Sequence, residues 1–478
     1  MAMGRRKREQ QGELFLPTQE LALPLGHVFY DRLNRLLAEA GFDDFVEALC
    51  EPHYEASGPG RPSLPPGTYF RMLFIGYFEG LGSQRGIAWR CHDSLSLRAF
   101  LGVGLNELTP DHSTLSLTRG RLPQEAHEKV FQFVLKLAGT KQLLQAKTVG
   151  VDSTYLEANA AMKSIVRKDT GEDYQEYLKG LAQAAGIENP TPEELQRFDR
   201  KRKGKKCSNE DWQSATDPDS RIAKMKDGTT HLAYKAEHVV DLENGLLLAA
   251  EIRPANDGDA ETIVDSLVNA QGHLNAAATL SPEPTTEQQL EASVGAGAPI
   301  EEAAADKGYH SAATLELMSA LTYRSYIPEP KRPHRLRWDD KTPAHQRAVY
   351  GNRRRVARAK SKQLQRWRSE RVERTFAHVC ETGAGRRSWL RGLDKVTKRY
   401  LIQAAAYNLG VVMRRLFGIG KPRCLQGPVS GWFARVLTAL MALLALWTIC
   451  RPLLMRRLRS HTTSRPRAVW TFCARMRA

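Results

Sequence analysis

The 478-residue chain, 42% hydrophobic and 26% charged, has the composition of a soluble globular protein and is long enough for roughly two or three domains. Its 70 Lys and Arg against 53 Asp and Glu give a net charge of +17 and a pI near 9.6. That imbalance points to a polyanionic partner, because each neutralised phosphate releases condensed counterions. The seven cysteines (Cys50, Cys91, Cys207, Cys380, Cys424, Cys450 and Cys473) show no CxxC spacing, which argues against a disulfide framework or zinc site. The basic N-terminus "MAMGRRKREQQGELF" has no apolar stretch behind it and is not a secretory signal.

Residues 27 to about 140 are predicted to be helical. "HVFYDRLNRLLAEAGFDDFVEAL" carries Phe29, Leu33, Leu36 and Leu37 at helical spacing, and a second run, "YFRMLFIGYFEGL", follows a Gly/Pro-rich loop. "SQRGIAWRCHDSLSLRAFLG" reads as two short helices, and "TPDHSTLS" offers Thr109 as N-cap with Pro110 next. Short helices with tight turns and several arginines fit a helix-turn-helix DNA reader, or an ordinary helical domain with solvated arginines.

"TVGVDSTYLEA" predicts a short apolar strand ending at Asp152. Residues 157–226 are polar, mostly helical and read as an insertion, with a capping box at Thr191, Pro192 and Glu194. "THLAYKAEHVVDLENGLLLAAEI" is the clearest hairpin, with Asn244-Gly245 at its turn. A helix capped by Asp259, a strand ending at Asp306, another helix and the strand "YRSYIP" follow. A second insertion spans about 329–357. "SKQLQRWRSERVERTFAHVC" and "LDKVTKRYLIQAAAYNLGVVMRRLF" are helices, the latter stopping at Gly418. A mixed sheet with helices on its faces is the expected fold class.

Alone, Asp152 would be a strand end starting a turn. Its meaning changes if other carboxylates reach the same place. Were the strands of Asp152 and Asp306 parallel neighbours, both side chains would leave the sheet at one carboxyl edge, where ligands gather in open α/β sheets. Glu373, on the helix after the last strand, would join them if Phe376 and Ala377 packed on the sheet. Three close carboxylates need a counter-charge. A pair of hard divalent cations supplies it, and also clamps the attacking and leaving oxygens of a phosphodiester.

The blocks "TVGVDSTYLEANAAM", "DPDSRIAKMKDGTTHLAYKAEHVVD", "ADKGYHS" and "ERVERTFAH", with "GTYFRMLFIGYFEGLGSQRGIAWRCHDSLSLRAFLG" before them, resemble bacterial insertion-sequence transposases of the DDE superfamily, over roughly residues 15–420. The resemblance implies an RNase H-like core behind a helical N-terminal domain. It implies metal-dependent cleavage at transposon ends and strand transfer. It also implies Mg²⁺ or Mn²⁺, two ions in all, held by a catalytic and metal-binding triad of Asp152, Asp306 and Glu373. Glu370, four residues after Arg366, is the alternative third ligand, since Cys380 rather than a lysine stands seven after Glu373. Arg353, Arg354, Arg355, Arg358, Lys360 and Lys307 are the expected DNA contacts.

The domains are then a basic tail (1–26), a helical DNA-binding domain (27–140), a catalytic domain (141–418) and a basic C-terminal extension (419–478). The extension holds the 15-residue apolar run "VLTALMALLALWTIC", short of the about 20 residues a span needs. Eight arginines follow from Arg451 on. The expected partners are transposon terminal inverted repeats, target DNA and a second copy or more in a synaptic complex, in the cytoplasm at the nucleoid. Rival readings are a metal-dependent nuclease of the same fold, an inactive DNA-binding remnant and a membrane-tethered protein.

Overall fold

The computed structural model describes residues 26–54, 63–203, 207–225, 228–279, 299–331, 338 and 341–425. The basic N-terminal tail, the C-terminal apolar run and the arginine-rich end lie outside the described residues. One unit runs to Pro422, so the helical region and the sheet belong to the same compact body.

Among the described residues, seven α-helices come first. α1 (Val28–Glu39) and α2 (Phe42–Cys50) bury the apolar stripe seen in the sequence. α3 (Pro66–Glu79) starts on a proline and stops at Gly80, whose φ of +71° suits a residue without Cβ. Nearly every residue from Tyr69 to Phe78 is buried, so α3 is the centre of the bundle. α4 (Gln84–His92) and α5 (Leu95–Leu101) begin on the serine caps Ser83 and Ser94. α6 (His112–Arg121) starts later than predicted. Its cap is Asp111, whose carboxylate accepts from the Ser113 N–H and suits the positive helix end, while Thr109 bonds His92 instead. α7 (Gln124–Thr140) completes the region.

β1 (Thr148–Glu157) runs five residues beyond its predicted end, because β5 (Thr230–Asp241) pairs with it antiparallel along nearly its full length. The insertion holds β2 (Ile165–Arg167), α8 (Tyr174–Ala184), α9 (Pro192–Lys201) and β3 (Trp212–Ser214). The predicted capping box opens α9. β2 and β3 make a separate two-stranded sheet, and α8 and α9 close over Leu178, Ala182 and Leu195. β4 (Arg221–Lys224) already belongs to the main sheet, so the insertion ends sooner than read from its polarity.

β5 turns at Gly245 into β6 (Leu247–Pro254). Then come α10 (Asp259–Thr279), β7 (Glu302–Ala304), α11 (Ala312–Ala320), β8 (Arg324–Tyr326), α12 (Pro343–Val356), α13 (Ala359–Phe376) and α14 (Leu393–Phe417). Gly418, at φ +73°, stops α14 as predicted.

The six-stranded sheet has the order β4-β5-β1-β7-β8, with β6 also on β5. β1, β7 and β8 are parallel, and the other pairs are antiparallel. α13 crosses one face over β1 and β5, and α10 packs on β5 and β6. α14 packs against β6 and against α3 and α7 of the helical region. This is the mixed α/β fold that the sequence predicts, with the strand pattern of an RNase H-like core.

Candidate active site

β1 and β7 pair in parallel, and their last paired residues are Gly150 and Ala304. Asp152 and Asp306 each stand two residues further on. The two carboxylates therefore leave neighbouring strands at the same carboxyl edge and in register. Asp152 is mid-strand on its β5 side, opposite His238, and past the end of pairing on its β7 side.

On the α13 face, Asp152 accepts a hydrogen bond from Arg368 at 2.8 Å, and both side chains are half-buried. Gly150 brings α13 this close. A Cβ there would lie 3.0 Å from Val372 and 3.2 Å from Arg368. α13 is fixed further along by His238, which stacks on Phe376 at 4.0 Å and bonds Thr375 (2.7 Å) and Tyr400 (2.8 Å). Complete burial lowers the His238 pKa to about 3, so the ring is neutral.

On the α10 face, Ser153 donates to Asp259 at 2.9 Å, and the buried Lys235 ammonium pairs with the same carboxylate at 2.7 Å. Lys235 also donates to the Asp257 carbonyl and to Thr262. Glu237, next along this face of β5, accepts from Thr262, Ser266 and Tyr309. Burial holds the Glu237 carboxyl above its usual range, and burial with Glu237 and Asp259 nearby pushes the Tyr309 phenol well up. Tyr309 follows Asp306 by three residues, so the network ties the Asp306 turn to β5. Gly308 completes the junction. A Cβ there would sit 3.0 Å from an Asp306 oxygen and 3.2 Å from an Asp259 oxygen, wedged between the carboxylates.

Asp259 is the residue the sequence reading undervalued. Expected to cap a helix, it is the first residue of α10, and its carboxylate meets Lys235 and Ser153. Lys235 and His238 were also missed. The one sequence signal was charged and polar residues inside an otherwise apolar strand, "YKAEHVV", where each needs a buried partner.

Phe376 packs on the sheet as expected, but Ala377 is exposed. Glu373 is exposed and accepts from Ser369 at 3.3 Å. It lies one residue, about 100° of helix, from the buried Val372. Glu370 pairs with Arg374 and lines a different cleft, with Arg371, Arg414 and the β5–β6 turn. Among the described residues, no three His, Cys, Asp or Glu side chains stand close enough together to hold a metal ion.

Of the basic residues expected on DNA, Arg353 forms a two-pronged pair with Glu329, Arg355 bonds Ser325, and Lys360 pairs with buried Glu302 at 2.6 Å. Arg354, Arg358 and Lys307 are exposed. Among the described residues, no helix is long and apolar enough to cross a membrane.

Comparison with known proteins gives two family matches. Residues 18–121 match the Transposase domain (DUF772), and residues 331–413 match the Transposase DDE domain. Glu373 and Glu370 fall inside the second match; Asp152 and Asp306 lie between the two. No curated protein and no solved structure matched. DDE transposases act on DNA and are generally dependent on divalent metal. One transposase domain matched on the N-terminal helices and a DDE domain matched on the helices after the last strand together support a DDE-type insertion-sequence transposase.

Proposed function

We propose that this transposase cleaves transposon ends and joins them to target DNA using Asp152, Asp306 and Glu373. The observation that supports the reading is the register of β1 and β7, with Asp152 and Asp306 each two residues past the last paired position. Carboxylates brought to one edge are stable together only with a cation. Oxygen-only donors at such an edge fit Mg²⁺ or Mn²⁺. Asp152, Asp306 and Glu373 would hold two such ions, which when bound supply Lewis-acid activation of the scissile phosphodiester and its attacking oxygen.

The chain's own groups do the rest. Arg368 neutralises Asp152 until a metal ion would take its place. Lys235 and Asp259 hold Ser153, and with it the Asp152 backbone. Glu373 orients the attacking water or 3′-hydroxyl. Lys307, Arg354 and Arg358 offer exposed charge to phosphates, whereas Arg353, Arg355 and Lys360 brace the fold around them. The DNA is terminal inverted repeats and target, engaged by a homodimer or larger synaptic assembly at the cytoplasmic nucleoid.

The test is cleavage and joining of paired transposon-end duplexes in Mg²⁺. Asp152→Asn, Asp306→Asn and Glu373→Gln should each lose more than roughly a hundredfold in cleavage while binding DNA normally, beyond the loss usual for groups behind the ligands. Wild-type protein that binds ends but cuts in neither Mg²⁺ nor Mn²⁺ would overturn the reading. Cutting without joining would leave a nuclease. An active Glu373→Gln beside an inactive Glu370→Gln would move the third ligand.

A further inference from the structure

Away from the carboxyl edge, a crevice opens between the helical region and the loop before α14. A cavity of about 170 Å³ is lined by Arg85, His112, Arg119, Trp389 and Arg399. A second, of about 400 Å³, shares Arg119 and Trp389 and adds Arg391 and Lys395. Neither wall contributes a carboxylate. Asp111, beside the lining, is bonded to the His112 ring at 2.7 Å, and Asp394, next to Lys395, is paired with Lys398.

Arg119 is set deep, and Arg399 beside it is partly buried. Arg119 is 3% exposed, and its Nε has no hydrogen-bond partner among the described residues. Among the described residues Arg119 bonds neutral groups: the Gln84 amide oxygen, in the amide orientation that satisfies both groups, and the Tyr69 hydroxyl. Arg399 donates to the Ala384 carbonyl at 2.9 Å, and burial beside Arg119 lowers its pKa to about 10. Two guanidiniums in a poorly solvated crevice without a carboxylate raise each other's energy, and an anion between them removes that cost. The geometry is built rather than incidental. Trp389 forms the shared lip by closing on Gly82, where a Cβ would lie 3.1 Å from the indole nitrogen. Arg387 lies over the ring at 5.0 Å.

We propose that this crevice is a phosphodiester-binding site, in which Arg119 and Arg399 seat one backbone phosphate of the bound DNA while Arg391 and Lys395 guide the flanking strand. The seat is formed jointly by α6 and α14, so a single phosphate contact would link the helical region to the catalytic region. The proposal rests on the chain being a DNA transposase, not on the identity of its catalytic carboxylates.

The test uses the full chain in EDTA, so that cleavage plays no part. Binding of a labelled mixed-sequence duplex is followed by fluorescence anisotropy over a potassium chloride series. Arg399→Gln should weaken binding several-fold at moderate salt and reduce the slope of log K against log salt by about 1, the loss of one phosphate contact. Arg399→Lys should keep most of the slope. Should circular dichroism show Arg399→Gln misfolded, the exposed pair Arg391→Gln and Lys395→Gln carries the test, with a comparable fall in slope expected. Inorganic phosphate should raise the Tm of the wild type more than that of Arg399→Gln. Unchanged slopes in all these variants overturn the proposal. Unchanged slopes with a phosphate-dependent Tm would make the crevice a free-anion site and refute the DNA assignment. Inactive wild-type protein that shows the slope changes would sink the catalytic reading alone.

Discussion

Asp152 and Ser153 are adjacent on β1 and face opposite sides of the sheet, and the two sides are organised differently. Asp152 meets the Arg368 guanidinium in a partly open setting. Ser153 joins a dense network in which Lys235, Glu237, Thr262 and Ser266 are all buried. One side can exchange its counter-charge without disturbing the core; the other cannot. A site that must take up and release charged ligands needs both: a replaceable partner at the reacting carboxylate and a fixed frame behind it.

The most severe way to break that contrast is on the closed side. Lys235→Met would leave Glu237 and Asp259 without their cation while the donors around them remain. Removing one partner of a buried pair costs about 3–5 kcal/mol, and the partial exposure of Asp259 places this change near about 3. Urea unfolding should show a clearly lower midpoint at an unchanged slope. A loss under about 1 kcal/mol would mean that this face is as forgiving as the other.

Much of this was legible in the residues. The hairpin around Asn244-Gly245, the stop at Gly418, the capping box of α9 and the parallel neighbours carrying Asp152 and Asp306 all follow from local chemistry or from strand–helix alternation. The length of β1 did not, because its polar second half, "DSTYLE", is held as strand mainly by β5, a partner about eighty residues on, with a single further bridge from Glu157 to Arg387. Asp259 was misjudged for a similar reason. An aspartate at a helix start explains itself locally, and nothing nearby announces that Lys235 reaches it from another strand. The basic run Arg353–Lys360 looked uniform by composition. Its division into paired and exposed members depends on Glu329, Ser325 and Glu302, which only the fold brings near.

A smaller effect sharpens the comparison from the open side, where His238 holds α13 against the sheet. The ring has a pKa of about 3 in the folded chain, against 6.5 for an ordinary histidine. Below pH 6.5 the unfolded chain takes up a proton that the folded one refuses, so stability is lost as pH falls toward 3. The slope approaches roughly 1.4 kcal/mol per pH unit for this group. His127, lowered to about 4 by burial, adds in the same sense, while Glu237, raised by burial, opposes it. Comparing His238→Gln with the wild type removes these backgrounds. The difference in stability between them should narrow steadily from pH 7 to pH 5, and a difference that stays constant would mean that His238 titrates normally.

The mildest change addresses the exchangeable pair itself. Arg368→Gln removes one partly buried cation whose carboxylate retains the Ser153 N–H and access to water. Its stability cost should stay at or below about 1 kcal/mol. The consequence for binding is larger, because Arg368 and a divalent cation compete for the same Asp152 oxygens. Freed of that competitor, the variant should bind Mn²⁺ several-fold more tightly by calorimetric titration in the absence of DNA. Asp152→Asn should lose the binding in both backgrounds. Weaker Mn²⁺ binding in Arg368→Gln would reverse the assignment, making the guanidinium a support that aims Asp152 at the ion. The open face would then be framed as firmly as the closed one, and the contrast across β1 would be one of solvent access rather than of exchangeable charge.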